Sequence, residues 1–336
     1  MALKPRSGRG IARLRRSTRR RISALTAAAC ALSLIVAALA HPGVFQADLD
    51  VNNGGIWVTS TSEHLVARLN YPSREVDGAI RTSSADFDVS QNAEDVLVSD
   101  TAGATVSSVN TTLVEFSSRT QLTQGISIHQ GGDRVAAVNS TEGTVRATTV
   151  AAVGSVMSTT PVLQGMPGVV AVTGVDGTIH AVSADSGQEA TVAPTNAGWE
   201  TPTIEKVSLS AGTDLAITAV GSQAVILERG TGVVHLPNGK TIALDEPGLA
   251  IQQPGPEADA VLLASRTALY SVPLDGSPAT KTEASESGTA PVGVAAQPVR
   301  LGGCTYAAWS GSGQFLRRCG TDTEIRHDEA LASSTT

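Results

Sequence analysis

The acidic residues with the most suggestive spacing form two D-x-D pairs, Asp48 with Asp50 and Asp86 with Asp88. Because side chains alternate along a strand, each pair would present both carboxylates on one face. Such oxygens could hold a cation such as calcium if several of them converged. The corresponding segment later in the chain, 125–128, contains no acid. We therefore favour solvent-exposed or turn-capping acids over a cation site, and we predict no metal ligand.

The histidines are scattered, and none has the H-E-x-x-H spacing of a zinc enzyme. The chain also lacks the G-x-S-x-G nucleophile motif, the P-loop and the dinucleotide-binding fingerprint in a strand–helix context. We predict no catalytic residue and no cofactor-binding residue from these patterns. An acid pair for polysaccharide hydrolysis stays open, because the two carboxylates of a glycosidase can be distant in sequence. The histidines are His41, His64, His129, His180, His235 and His327.

Residues 22–40 form an uncharged, apolar run of 19 residues. At a rise of about 1.5 Å per residue, a helix of this length spans the hydrocarbon core of roughly 30 Å. Nine of the 24 Lys and Arg residues precede residue 22, and no acid precedes Asp48. We predict a cytoplasmic basic head (1–21), a transmembrane signal-anchor helix (22–40) in the cell membrane, and a location outside the cell for the residues after 40. The alternative is a cleavable signal peptide that ends at Ala38-Leu39-Ala40.

The remainder of the chain is acidic, with 15 basic against 31 acidic residues and a formal charge of −16. This charge opposes non-specific binding to nucleic acid or to anionic lipid. We expect no nucleic-acid partner. The expected partners are the membrane, through the single span, and an envelope protein or polysaccharide.

Residues 169–187 organise the rest of the sequence: an apolar run, Asp176-Gly177, a second apolar run and a polar corner. This pattern predicts a β-hairpin. Gly177 can adopt the positive φ that the primed hairpin turns require, and the Asp176 carboxylate can accept hydrogen bonds from local amides.

Weaker copies of this unit recur about every 35 to 46 residues, a spacing typical of four-stranded β-propeller blades. Seven copies can be counted, and they predict a single all-β domain over 47–320. Runner-up architectures are a ring of six or eight blades, or tandem β-sandwiches. The predicted first strands are 48–51, 86–89, 125–128, 161–164, 206–209, 249–252 and 293–296. The predicted second strands are 56–59, 96–99, 135–138, 169–172, 215–218, 261–264 and 306–309.

Residues 176–187, DGTIHAVSADSG, resemble the quinoprotein-like and WD40-like propeller repeat. The segments 48–59, 86–100 and 302–319, together with the basic head and single span, resemble the N-terminal region of actinobacterial surface proteins with fibronectin type III or Ig-like modules. The resemblance implies a membrane-anchored propeller in a truncated or short member of such a family. A quinone cofactor is not expected, because the recurrent Trp motifs that dock it are missing. We expect Trp57, Trp199 and Trp309 to pack between blades instead.

Cys304 and Cys319 flank two predicted strands joined by the turn 311–313. Outside the cell such a hairpin would favour a disulfide over two free thiols, and we predict this bond. The polar residues 321–336 lack periodicity and predict a disordered tail.

The sequence thus predicts an all-β protein, a single seven-bladed β-propeller preceded by one N-terminal transmembrane helix in the cell membrane. The expected function is a binding or scaffold module at the cell envelope. The alternative is a glycosidase-like hydrolase of cell-wall or other polysaccharide, or a carbohydrate-associated surface protein.

Overall fold

The computed structural model describes residues 55–327, apart from 71–72, 211, 245, 247, 286–292 and 310. The predicted basic head, membrane span and first strand of the first repeat lie outside these residues. Within the described part of the chain, no helix is both long and apolar enough to cross a membrane.

Seven antiparallel sheets of three or four strands succeed one another along the described residues, and we number them as blades 1 to 7. Blade 1 contains β1 (Gly55–Ser60), β2 (Leu65–Asn70) and β3 (Glu75–Arg81). Blade 2 contains β4 (Phe87–Asn92), β5 (Asp95–Asp100), β6 (Thr105–Asn110) and β7 (Glu115–Gln121). Blade 3 contains β8 (Ile126–Gly131), β9 (Arg134–Asn139) and β10 (Thr144–Thr149), and a 3₁₀ helix, Val150–Ser158, comes directly after β10.

Blades 4 to 7 each contain four described strands. Blade 4 contains β11 (Val170–Thr173), β12 (Ile179–Ser183), β13 (Gln188–Val192) and β16 (Thr203–Lys206), with a small hairpin, β14 (Pro194–Thr195) and β15 (Gly198–Trp199), before β16. Blade 5 contains β17 (Leu215–Val220), β18 (Gln223–Glu228), β19 (Val233–His235) and β20 (Thr241–Ala243). Blade 6 contains β21 (Ala250–Ile251), β22 (Ala260–Ala264), β23 (Ala268–Pro273) and β24 (Thr280–Glu283). Blade 7 contains β25 (Val299–Leu301), β26 (Cys304–Trp309), β27 (Gln314–Cys319) and β28 (Asp322–His327). The prediction of seven blades is confirmed.

The first two blades are internal copies at the level of the backbone. The strands of blade 1 lie 40 residues before β5, β6 and β7 of blade 2. Positive φ angles recur at the same spacing, at His64 and Ala104 and at Arg74 and Val114. The described strands of blade 1 therefore correspond to the second, third and fourth strands of blade 2.

Two predicted first strands were wrong. In the segment 161–164, Leu163 bridges to Val145 of β10, at the outer edge of blade 3. In the segment 206–209, Lys206 ends β16, the outermost strand of blade 4. The predicted second strands 169–172 and 215–218 instead form the first strands of blades 4 and 5, β11 and β17. These two strands contact each other and continue the row that β8 occupies in blade 3. The 3₁₀ helix replaces a regular outer strand in blade 3, and this replacement shifts the phase of the repeat.

Among the described residues, the core consists of six apolar clusters, one between each pair of consecutive blades. Strand β9 shows how one strand serves two of them. Val135 and Ala137 pack toward blade 2, whereas Ala136 and Val138 pack toward blade 4. Because side chains alternate between the faces of a strand and both faces are covered, such strands are apolar throughout.

The tryptophans pack between blades, as predicted. Trp57 is buried between blades 1 and 2, and Trp309 is buried between blades 6 and 7. The Trp309 indole N–H donates to the Ser265 carbonyl at 2.8 Å. Trp199 packs on the cluster between blades 3 and 4, where the Arg134 guanidinium lies 5.6 Å from its ring centre.

The predicted hairpin is confirmed as β11 and β12, but its turn is wider than a primed two-residue turn. The loop runs from 174 to 178, and Gly177 has a φ of +82°. Asp176 has no positive φ. Its Oδ1 accepts a hydrogen bond from the Thr178 amide at 3.0 Å, so the predicted bond to a local amide is confirmed.

The Cys304–Cys319 disulfide is confirmed, with an S–S distance of 2.02 Å and a Cα–Cα distance of 4.3 Å. The two cysteines are directly paired across β26 and β27. The predicted disordered tail was wrong for Asp322–His327, which forms the outer strand β28. This strand is mostly polar because its outer position needs one apolar anchor, Ile325, which pairs with Leu316 and packs on the cluster between blades 6 and 7.

Buried polar side chains cap the turns after the second strands of blades 2 to 6: Asp100, Asn139, Ser183, Glu228 and Ser265. Glu228, only 2% exposed, accepts from the Ser210 amide at 3.1 Å, from Thr231 Oγ1 at 3.1 Å and from His235 Nε2 at 2.9 Å. Burial alone would raise the pKa of Glu228, but these hydrogen bonds lower it overall.

Replacing Cys304 and Cys319 together by serine should lower the free energy of unfolding by about 3 kcal/mol, because the disulfide closes a loop in the unfolded chain. The two cysteines are 15 residues apart. Urea denaturation of the purified protein would measure the loss, and reduced wild-type protein serves as the control. Equal stability of the oxidised protein and the double variant would contradict this role.

Replacing Glu228 by Gln should lower the free energy of unfolding by about 2 kcal/mol near neutral pH, because a buried charged acceptor of three hydrogen bonds is lost. The pKa of Glu228 in the folded protein lies below its ordinary value of 4.5. Its ionised form therefore stabilises the fold above this value, and the contribution is lost as pH falls through the lower folded pKa. Urea denaturation of both proteins at about pH 7 and about pH 3 would measure the difference, which should shrink in acid. An equal loss at both pH values would contradict the linkage.

Candidate functional site

The structure does not bring the D-x-D acids together with further ligands. Asp88 is exposed on β4, and its Oδ1 accepts from the Val89 amide at 2.8 Å. Asp86 is exposed just before β4, and its amide donates to Ser84 Oγ at 3.2 Å. Within the described ranges, no three His, Cys, Asp or Glu residues are grouped so as to hold a metal ion. Asp48 and Asp50 lie outside the described residues.

Four of the histidines have separate surroundings. His64 occupies a turn with positive φ, and His327 ends β28. His129 of β8 lies 3.0 Å from Ser127 Oγ, and His235 pairs with Glu228. His41 lies outside the described residues. The sixth, His180 of β12, faces a cavity with two glutamates that the sequence analysis did not single out.

This cavity lies on the face of blade 4 that is turned toward blade 5. Along β12, Ile179 and Ala181 pack in the cluster between blades 3 and 4, whereas Val182 packs in the cluster between blades 4 and 5. His180 shares the face of Val182, because side chains two residues apart point to the same side. By the same alternation, Ala190 on β13 packs toward blade 3, so Glu189 faces blade 5.

Strand pairing arranges the polar side chains of this face in two rows. In the first row, Thr191 is paired with His180 on one side and with Thr203 on the other. In the second row, Glu189 is paired directly with Glu205.

Blade 5 supplies the opposite wall, through the turn between β17 and β18 and the turn after β19. The enclosed volume is about 200 Å³. We call this cavity the inter-blade pocket. Its lining residues are His180, Glu189, Thr191, Thr203, Glu205, Ser222, Gln223, Ala224 and Pro237.

His180 is the most buried polar side chain of the inter-blade pocket, with 2% of its surface exposed. Its Nδ1 lies 3.3 Å from Thr191 Oγ1. Its Nε2 is buried and has no hydrogen-bond partner in the described part of the protein. Burial lowers the pKa of His180 even though the Asp176 carboxylate acts in the opposite direction. The imidazole is therefore neutral, with one ring nitrogen left for a ligand.

The two glutamates differ in solvent exposure: Glu189 is half-buried, whereas Glu205 is exposed. Burial first, and then the negative charge of Glu205, raise the pKa of Glu189, while His235 acts against them. Among the described residues, neither carboxylate has a cation within ion-pair distance or a hydrogen-bond donor. Like charges placed directly opposite each other across two strands destabilise a sheet.

A second cavity lies beside a carboxylate whose hydrogen bonds are all supplied by the protein. It encloses about 230 Å³ next to Asp100, between blades 1 and 2. Asp100 accepts from Ser83 Oγ at 2.6 Å, from Ser84 Oγ at 2.8 Å and from the Gly103 amide at 2.7 Å. Its ligand positions are thus filled by the protein itself. The inter-blade pocket, in contrast, offers acceptors that the described chain leaves open.

The inter-blade pocket can bind ligands that carry several hydrogen-bond donors, because both carboxylates accept hydrogen bonds and His180 has a ring nitrogen without a partner. A carboxyl group with a raised pKa opposite an ionised one could also supply acid and base for hydrolysis. Sequence reasoning missed this site because the pairing of strands, not a motif, brings together residues as far apart as His180 and Glu205. The one available signal was His180, which lies within the segment 176–187 that resembles the propeller repeat.

No protein-family model and no curated protein sequence matches the chain. Solved structures are similar in fold. Hsv2 of Kluyveromyces lactis is 7% identical with a TM-score of 0.56, and the match covers 83% of this chain and 95% of that one. The dihydro-heme d1 dehydrogenase NirN, in complex with DHE, is 10% identical with a TM-score of 0.55, covering 81% of this chain and 63% of that one.

Identities at this level show the fold alone. The comparisons do not show the resemblance to surface proteins with fibronectin type III modules, which stays a prediction. What the seven sheets and the similar structures establish together is an all-β protein with the seven-bladed β-propeller fold.

Proposed function

We propose that this protein is a binding module held on the outer side of the cell membrane by its N-terminal span. Its propeller would act as a scaffold for an envelope protein or polysaccharide. The observation that carries this proposal is the disulfide between Cys304 and Cys319. Disulfides form and persist in oxidising compartments and are rare in the cytosol.

The sequence before the described residues supports the same orientation. The apolar run 22–40 comes after nine basic residues, and the chain beyond it contains 31 acids against 15 bases. A strongly basic flank stays on the cytoplasmic side of a first membrane segment. Residues after 40 would then lie outside the membrane, where the disulfide can form.

The fold supports binding more directly than catalysis. Blades 2 to 6 each pack between apolar clusters on both faces, so they present their side chains from a rigid framework. Rigid surfaces bind with less loss of conformational entropy than flexible ones do.

Polysaccharide hydrolysis is a second candidate, favoured by one observation. Glu189 and Glu205 are opposed in the inter-blade pocket, and the pKa of Glu189 is raised. A carboxylic acid with a raised pKa and an ionised carboxylate are the two groups that glycoside hydrolysis requires. However, the volume of about 200 Å³ is below the range of roughly 300 to 1,000 Å³ usual for ligand clefts, so we place this candidate second. Release of reducing sugars from purified cell wall, abolished in Glu189→Gln, would replace the binding proposal with this one.

The location can be tested with a C-terminally tagged protein expressed in its own cells. We expect a full-length product in the membrane fraction, which protease added to intact protoplasts shortens from the outside. A tagged cytosolic protein, which should stay intact under the same treatment, is the control. A product that protease cannot reach, with both cysteines reduced, would contradict the proposal; a soluble product that starts near residue 41 would show a secreted protein without the anchor.

A further inference from the structure

We propose that the inter-blade pocket binds a primary ammonium group, the side chain of a lysine on a protein partner. This inference rests on the proposed function as a binding module and names the chemistry that one pocket would recognise. The hydrogen-bond acceptors of the pocket and its unbalanced charge both support it.

The acceptors of the pocket match the donors of an ammonium group. Ionised Glu189 and Glu205 only accept hydrogen bonds. His180 is neutral; when its Nδ1–H donates to Thr191 Oγ1, its Nε2 carries a lone pair and accepts as well. An ammonium group has three donors and no acceptor, so it can donate to a carboxylate of the pocket and to a further acceptor without needing all three side chains to converge on one point.

The charge of the pocket is unbalanced within the described residues. Blade 6 shows how the same fold balances such a pair. There the Lys281 Nζ lies 3.5 Å from Glu246 and 3.3 Å from Glu283, and 5.8 Å from the centre of the Tyr270 ring. The outer strands of blade 4 carry two opposed glutamates. Their lysine, Lys206, is paired with Gln188 and lies on the other face of the sheet, because side chains alternate along a strand. A lysine from another molecule would supply the missing charge.

Other cations fit the pocket less well. A divalent metal needs several ligands converging on one point, and the described part of the chain groups no three ligating residues in that way. A guanidinium group binds best when it meets both oxygens of one carboxylate in a plane. The acceptors here lie on three different strands, β12, β13 and β16, and not on one carboxylate.

The position of the acceptors gives the binding a pH dependence. The titratable groups that face Glu189 are Glu205 on β16, His180 on β12 and His235 on β19 of the next blade. Burial and Glu205 raise the pKa of Glu189 in the free protein, so protons compete with the ammonium group. Affinity should therefore fall as pH is lowered through the pKa of Glu189.

The experiment uses the full-length protein in detergent and two matched probes, Nα-acetyl-lysine methylamide and its norleucine counterpart. The norleucine probe keeps a similar alkyl chain but has no charge. Calorimetry should show saturable binding of the lysine probe in the millimolar range and binding at least about tenfold weaker for the norleucine probe. Glu189→Gln and Glu205→Gln should each weaken lysine binding about tenfold. Glu115→Gln, an exposed glutamate on β7 of blade 2, is the matched control and should change nothing.

A loss of binding in these variants must not reflect misfolding. Because each substitution removes a like-charge contact, the melting temperature of the ligand-free protein should stay the same or rise. Equal binding of the two probes, tighter binding of the corresponding arginine probe, or no saturable binding would each overturn the proposal. Calcium binding that both variants abolish would overturn it in favour of a metal site. The calorimetric experiment and the protease test are independent. Failure of lysine binding leaves the proposed location standing, and failure of the protease test leaves the proposed lysine site standing.

Discussion

The structure depends on one constraint: a blade of this propeller cannot bury its own faces. Every central strand must therefore supply two clusters at once, as β9 does with Val135 and Ala137 on one side and Ala136 and Val138 on the other. A polar side chain on such a strand faces an apolar neighbour unless it lies at a strand end. This explains why Asp100 and Glu228 stand at the last positions of β5 and β18, where turn amides and hydroxyls reach them.

His180 departs from that arrangement. It lies in the second position of β12, with apolar residues before and after it, and only one of its ring nitrogens has a partner. Burying a polar group without a hydrogen bond is unfavourable by about 1 to 3 kcal/mol. His180 bears this cost beside a cavity, which leaves room for a ligand to supply the missing hydrogen bond. The inter-blade pocket thus combines an open acceptor with two open carboxylates, whereas the caps of the neighbouring blades are closed by their own donors.

Much of the fold could be predicted from the sequence, because apolar strands and turns recur with the spacing of a blade. The number of blades could be inferred from that spacing, and the disulfide from the two cysteines that flank a predicted hairpin. The phase of the repeat could not be predicted at 161–164 and 206–209, since an inner strand and an outer strand have similar short patterns and the 3₁₀ helix interrupts the count. The outer strand Asp322–His327 looked like a tail, because a solvent-facing strand carries little apolar signal.

The inter-blade pocket was not predictable for a different reason. Its chemistry depends on which residues are paired, and pairing across β12, β13 and β16 is set by loop lengths that include the extra hairpin β14–β15. A shift of one residue in β16 would turn Glu205 to the other face and bring Ile204 beside Glu189. Ile204 is instead half-exposed on the opposite face, so the register favours two opposed acids over an apolar contact. The observed register therefore places a destabilising pair of like charges at the pocket, where the alternative register would place Ile204.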